Sequence, residues 1–134
     1  MSSLSVAKVD NNYDKQMNYL DKIRRNLNAQ ERISFDFDGT LSTPQGKALA
    51  KRFISKGYMV YIVTARSPRL SKAVYEVADE LGISHSRVKL TGSNSAKIDF
   101  IVNNRIRKHY DNNPDVINEL KDKGIEATLV NYEK

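Results

Sequence analysis

A chain of 134 residues, 40% of them hydrophobic, has room for one packed domain and little for a second. It has no cysteine, which excludes disulfides and thiolate metal sites and suits a reducing compartment. The formal charge of +6, from 22 Lys and Arg against 16 Asp and Glu, fits either plain solubility or attraction to a polyanion such as nucleic acid.

Met1 to Val6 lacks the apolar centre of a signal peptide, and no run approaches the roughly 18 apolar residues of a membrane span. A soluble cytoplasmic protein without membrane association is expected. Met17, Leu20, Ile23 and Leu27 recur at three- and four-residue steps, which predicts a helix with one apolar face, started by Asp10 or Asn11. Residues 1–31 therefore read as an N-terminal helical extension and residues 32–134 as the main domain. The apolar face either packs on that domain or binds a partner, a second copy of the chain included.

From Ile33 strand and helix signals alternate. Ile33-Ser34-Phe35 is a short strand ending at Asp36. Gly46 to Lys56 reads as a helix with Ala48, Leu49, Ala50, Phe53 and Ile54 on its apolar face. Tyr58 to Val63 is a nearly continuous apolar run, as in a strand covered on both faces. A helix follows over Leu70 to Leu81, a weaker strand over Arg87 to Leu90, and a helix over Ser95 to Val102. A polar, poorly marked strand over Arg105 to Tyr110, a helix over Val116 to Lys123 and a strand over Ile125 to Val130 complete the series. This order predicts an α/β fold with a doubly wound parallel sheet, whose ligand site lies beyond the carboxyl ends of the strands.

The chemistry-bearing residues fall at those ends. Asp36-Phe37-Asp38-Gly39-Thr40 follows the first strand. Carboxylates at i and i+2 of an extended segment point to one side, so one can attack an electrophile while the other moves a proton. Thr64 ends the second strand and offers a hydroxyl, with Ala65 and Arg66 after it. Lys97 opens a later helix; Lys89 competes for a cationic role but lies within a predicted strand. Tyr110-Asp111-Asn112-Asn113-Pro114-Asp115 supplies carboxylates at i and i+4, and also reads as a helix start with Asp111 or Asn113 as cap and Pro114 in the first turn. His85 and His109 lack paired ligands at metal spacing and read as surface or packing residues. The tyrosines form no stacking stripe.

Asp36-Phe37-Asp38-Gly39-Thr40-Leu41 resembles the first motif of the haloacid dehalogenase-like superfamily, most of whose members are phosphatases, and the resemblance covers roughly residues 32 to 130. It implies that Asp36 is the nucleophile and Asp38 the general acid/base, a pairing typical of phosphatases. Thr64 looks like the second motif and Lys97 the third, with Thr64, Ala65, Arg66 and Lys97 holding the phosphoryl group. The fourth is similar to Asp111 and Asp115. It implies a magnesium ion held by Asp36, Asp38 (through its carbonyl) and Asp111, with Asp115 acting through water or orienting Lys97. Tyr110 replaces the frequent Gly, and Asn112 stands where some relatives have Asp, so either position 111 or 112 faces the metal.

Asp36 and Thr64 lie 28 residues apart, and Thr64 and Lys97 33 apart. Neither interval holds a folded cap, so an open site is expected. Capless relatives tend to act on large substrates or to borrow a neighbouring subunit as a lid. Arg66, Arg69 and Lys72, with Lys47 and Lys51, read either as contacts for further phosphates of a nucleotide or nucleic-acid end, or as a solvated basic surface. The motif arrangement is loosely similar to the 3′-phosphatase domain of polynucleotide kinases. The expectation is a magnesium-dependent phosphomonoesterase; the alternative is a catalytically retired binding or structural module on the same fold.

Overall fold

In the computed structural model, which describes residues 18–132, strand and helix alternate as predicted. Strands β1 (Arg32–Phe35), β2 (Met59–Thr64), β3 (Val88–Leu90), β4 (Lys108–Asp111) and β5 (Glu126–Leu129) form one sheet, ordered β3-β2-β1-β4-β5. Every pairing is parallel. The chain winds outward from β1 to β3, then crosses to the other side of β1 for β4 and β5. β1 and β4 therefore flank the switch point, where doubly wound sheets bind their ligands.

Side chains alternate along a strand, and that period sorts the sheet into two faces. Ile33, Phe35, Val60 and Ile62 pack with helices α2 (Pro44–Ser55) and α3 (Lys72–Leu81). Tyr61, Val63 and Ala127 pack with α4 (Asn94–Asn103) and α5 (Pro114–Asp122). In α2, Leu49, Ala50, Phe53 and Ile54 reach the core as predicted, whereas Ala48 is exposed. Between Asp36 and Thr64 stand only a turn and α2. Between Thr64 and Lys97 stand two short 3-10 turns, α3 and β3. No cap is inserted in either interval.

Helix ends differ from the predicted ones for local reasons. Thr43 Oγ1 caps α2 by accepting the Gly46 N–H, with Pro44 in the first turn, so the helix starts before Gly46. The helix predicted over 70–81 divides into a 3-10 turn, Pro68–Leu70, and α3. The strand predicted over 105–110 begins only at Lys108 and takes in Asp111. Before it, Arg105 (φ +54°) closes α4, and the Ile106 N–H donates back to Ile101 O.

Helix α1 covers residues 18–29. Asn28 Nδ2 donates to Lys56 O at 2.7 Å, and Arg25 lies against Gly57 at the end of α2. Leu20, Ile23 and Leu27 remain exposed. The polar side of the helix touches the domain, and the apolar face does not pack on it. Met17 and the predicted cap, Asp10 or Asn11, lie outside the described residues. No described helix is long and apolar enough to cross a membrane.

α2 rests directly on the turn that follows β1. A Cβ at Gly46 would sit 1.9 Å from the Thr40 carbonyl oxygen, a backbone atom with nowhere to go. We expect Gly46→Ala to cost about 1–3 kcal/mol, in the range of overpacked cores, measured by chemical denaturation. Unchanged stability would contradict this contact.

Candidate active site

Asp36 sits just past β1 and its N–H donates to Tyr110 O at 2.9 Å, so it lies beside Asp111 at the end of β4. After it the chain turns tightly over Phe37–Leu41: the Leu41 N–H donates to Asp36 O, and Gly39 takes φ +75°, a region L side chains rarely adopt. Thr40 is fully buried within this turn, and its hydroxyl has no partner among the described residues.

Lys97 lies in the first turn of α4, whose start is capped by Ser93. Its Nζ is 3.1 Å from Asp36 Oδ1 and 2.8 Å from Asp111 Oδ2, and only 2% of the residue is exposed. The competing Lys89 is exposed on β3 and reaches toward the Phe100 ring instead. Asp111, not the exposed Asn112, turns into the site.

Asp38 points elsewhere. Arg66 Nε donates to Asp38 Oδ1 and Oδ2 at 3.2 and 3.0 Å, and Nη2 donates to Oδ1 at 3.0 Å. Arg66 Nη1 donates to Leu70 O, and the guanidinium lies over the Phe37 ring at 5.0 Å. The fork of Arg66 is thus committed to the protein. Thr64 is buried at the end of β2, where its Oγ1 accepts the Arg66 N–H at 3.2 Å, and Ala65 between them is half-buried. Asp115 is exposed in the first turn of α5. Lys97 is oriented by Asp36 and Asp111, not by Asp115.

Of the two readings offered for His109, the surface one fails and the packing one omits its polar bonds. His109 is fully buried, with Nδ1 2.6 Å from Ser34 Oγ and Nε2 2.8 Å from Asp111 Oδ2. The signal was its position at i−2 from Asp111 on a strand, which puts both on one face. His85 does lie at the surface, 2.6 Å from Asp79 Oδ1.

One ammonium serves two buried carboxylates. Burial pushes Asp36 upward, Lys97 opposes it and the charge of Asp111 adds to it, for a pKa raised from 3.8 to about 7. Burial pushes Asp111 upward too, but the donors His109 and Lys97 outweigh it and hold Asp111 below the ordinary value. Burial keeps His109 neutral against the pull of Asp111. Lys97 thus faces two carboxylates, and of the two it is Asp36 whose pKa rises. No three His, Asp or Glu side chains among the described residues converge to hold a metal alone. Magnesium needs only one or two carboxylates when phosphate oxygens and water complete its shell, and the hard-oxygen pair Asp36 and Asp111 fits that demand.

A doubly wound α/β enzyme with a carboxylate centre at its switch point is what fold and site define. The model of the haloacid dehalogenase-like hydrolases matches residues 33–133, and the chain belongs to this family. A solved Vibrio cholerae structure, described as that of a candidate 3-deoxy-D-manno-octulosonate 8-phosphate phosphatase, is similar with a TM-score of 0.46 and 16% identity. The match covers 77% of this chain and 76% of that one. No curated protein matches the chain significantly.

Two measurements test the charge balance. In metal-free buffer the stability contributed by Asp36 is complete below pH 3.8 and is lost as pH rises through about 7, because the folded state binds the extra proton in that window. Asp36→Asn removes this slope, so its melting temperature should exceed the wild-type value above that window and converge with it below. A difference independent of pH would contradict the raised pKa. Lys97→Met leaves two buried carboxylates without a cation and should cost about 3–5 kcal/mol in denaturant titrations at neutral pH. A loss no larger than that of a variant at the exposed Lys51 would contradict the shared ion pair.

Proposed function

We propose that the chain is a magnesium-dependent phosphomonoesterase that works through an aspartyl-phosphate on Asp36. The observation that carries this reading is the buried Asp36–Lys97–Asp111 cluster at the switch point, with a second carboxylate, Asp38, two residues on. In this reading residues 32–134 form the catalytic domain and residues 1–31 an extension, in keeping with the family match.

Ionised Asp36 attacks phosphorus in line with the leaving oxygen. Asp38, whose side chain is 58% exposed and held by Arg66, leaves that fork to give the oxygen a proton as the P–O bond breaks. The products of this step are the free alcohol and an acyl phosphate on Asp36. Asp38, now ionised, takes a proton from the water that attacks the acyl phosphate, which releases inorganic phosphate and restores both carboxyl groups. Lys97 offsets charge on the transferring group, and Thr64 donates a hydroxyl to a phosphoryl oxygen. Magnesium bound by Asp36, Asp111 and the Asp38 carbonyl would add positive charge at the same oxygens.

An open site favours a substrate that brings its own anchoring groups. An open groove of about 360 Å³ is lined by Arg66, Arg69, Leu70, Lys72, Ala73 and the acidic Glu76, and Arg66 joins it to Asp38. With Arg66 engaged by Asp38, Arg69 and Lys72 are the cations left for a further phosphate, as on a nucleotide or nucleic-acid end. Lys47 is paired with Glu80 at 3.2 Å and is not part of this set.

Release of phosphate from a chromogenic aryl phosphate tests the proposal. Turnover should require magnesium, stop on chelation, and vanish in Asp36→Asn while the fold persists. Asp38→Asn should lose roughly 10²–10⁴-fold, as expected of a general acid. Turnover retained by Asp36→Asn would overturn the mechanism. No turnover, with failure to bind beryllium fluoride and magnesium, would favour the retired binding module.

A further inference from the structure

We infer that His109 and Ser34 are a positioning pair for the acid centre: together they orient the carboxylate of Asp111 so that Oδ1, and not Oδ2, is the oxygen offered to a cation. This rests on the phosphatase reading of the same centre.

Ser34 and His109 are register partners across the β1–β4 pair. Alternation puts Ser34 and Asp36 on one face of β1, and His109 and Asp111 on the same face of β4. The four side chains form a polar square inside the α4/α5 side of the core, each residue 6% exposed or less. Around it the same layer is largely apolar: Val63, Ile98, Ile101, Val116 and Ile117, with Tyr61 as the register partner of Ser34 on β2. Filling this space required nothing polar. A buried hydroxyl and imidazole cost free energy unless they are bonded, and both are.

The partners assign the hydrogens. An ionised carboxylate only accepts, so Nε2 carries the ring hydrogen and donates to Asp111 Oδ2 at 2.8 Å. Nδ1 is then the acceptor and receives the Ser34 hydroxyl at 2.6 Å, which locks the tautomer. Asp111 Oδ2 also accepts Lys97 Nζ at 2.8 Å, so both of its lone pairs are taken. Oδ1 accepts one donor, the Asn113 N–H at 3.0 Å, and keeps one lone pair. Removing His109 would free the carboxylate to rotate and leave Lys97 as the sole partner of Oδ2. His109 and Ser34 touch neither substrate nor metal; they act through Asp111.

The test uses the full chain, with Mn²⁺ as a paramagnetic probe titrated by electron paramagnetic resonance alongside thermal melts. His109→Leu fills the space without a donor, His109→Gln returns an amide N–H near Nε2, and Ser34→Ala leaves the tautomer unlocked. Partners in the outer shell of a metal site typically set affinity by about 10–100-fold, and His109→Leu should weaken Mn²⁺ by that much. His109→Gln should recover most of the loss, and Ser34→Ala should fall between. A folded His109→Leu with wild-type Mn²⁺ affinity and only a lower melting temperature would overturn the inference. If that variant does not fold, unchanged affinity in Ser34→Ala does the same. Absence of Mn²⁺ binding by the wild-type chain would overturn the metal reading, and this inference with it, while loss confined to the variants would not.

Discussion

A single ammonium shared between two buried carboxylates is the constraint on which the rest of this molecule depends. Removing three charged groups from water is expensive, and the mutual attraction repays that cost only when the geometry is tight. Here it is tight, with 3.1 and 2.8 Å from Lys97 Nζ to Asp36 and Asp111. Even so the cluster remains one positive charge short. Burial above all, and then the charge of Asp111, raises the pKa of Asp36 against the pull of Lys97. The same burial and charge bring the ionisation of Asp36 to about neutral pH.

The fold exists around this cluster in a specific way. Reversal of the winding direction puts β1 next to β4, with their carboxyl ends side by side at the switch point. Alternation along two short strands then brings Asp36 and Asp111 to one face, and α4, the crossover that leads into β4, carries Lys97 in its first turn. α2 presses on the turn after Asp36 so closely that Gly46 leaves no room for a side chain. On the other side of the site Arg66 ties Asp38 to the loop after β2. The candidate groups are therefore held by different elements that pack against one another.

Much of this was legible in the residues. The alternation of signals from Ile33 onward implied the parallel sheet, because strands covered on both faces read as continuous apolar runs. Asp36, Thr64 and Asp111 stood out because each falls at or just beyond a predicted strand end, and Lys97 because it opens a later predicted helix. The preference for Lys97 over Lys89 also followed from element type. What stayed hidden was pairwise. Nothing in the order of residues says that the Arg66 fork faces Asp38, since both belong to loops brought together only by tertiary packing. His109 looked inert because β4 is half polar and reads weakly as a strand; once β4 is seen to include Asp111, its i−2 neighbour must share that face. The apolar stripe of α1 was visible too, but periodicity cannot tell which side of a helix meets the domain. Here Asn28 and Arg25 do, and Leu20, Ile23 and Leu27 do not.

The most direct test of the central claim is to look for the covalent intermediate. Brief incubation with an aryl phosphate and magnesium, an acid quench and borohydride reduction would convert an acyl phosphate to an alcohol, readable by mass spectrometry of the peptide. The account predicts homoserine at Asp36, dependent on substrate and absent at Asp38. Phosphate release with no reduction product at Asp36, or with the product at another carboxylate, would contradict it.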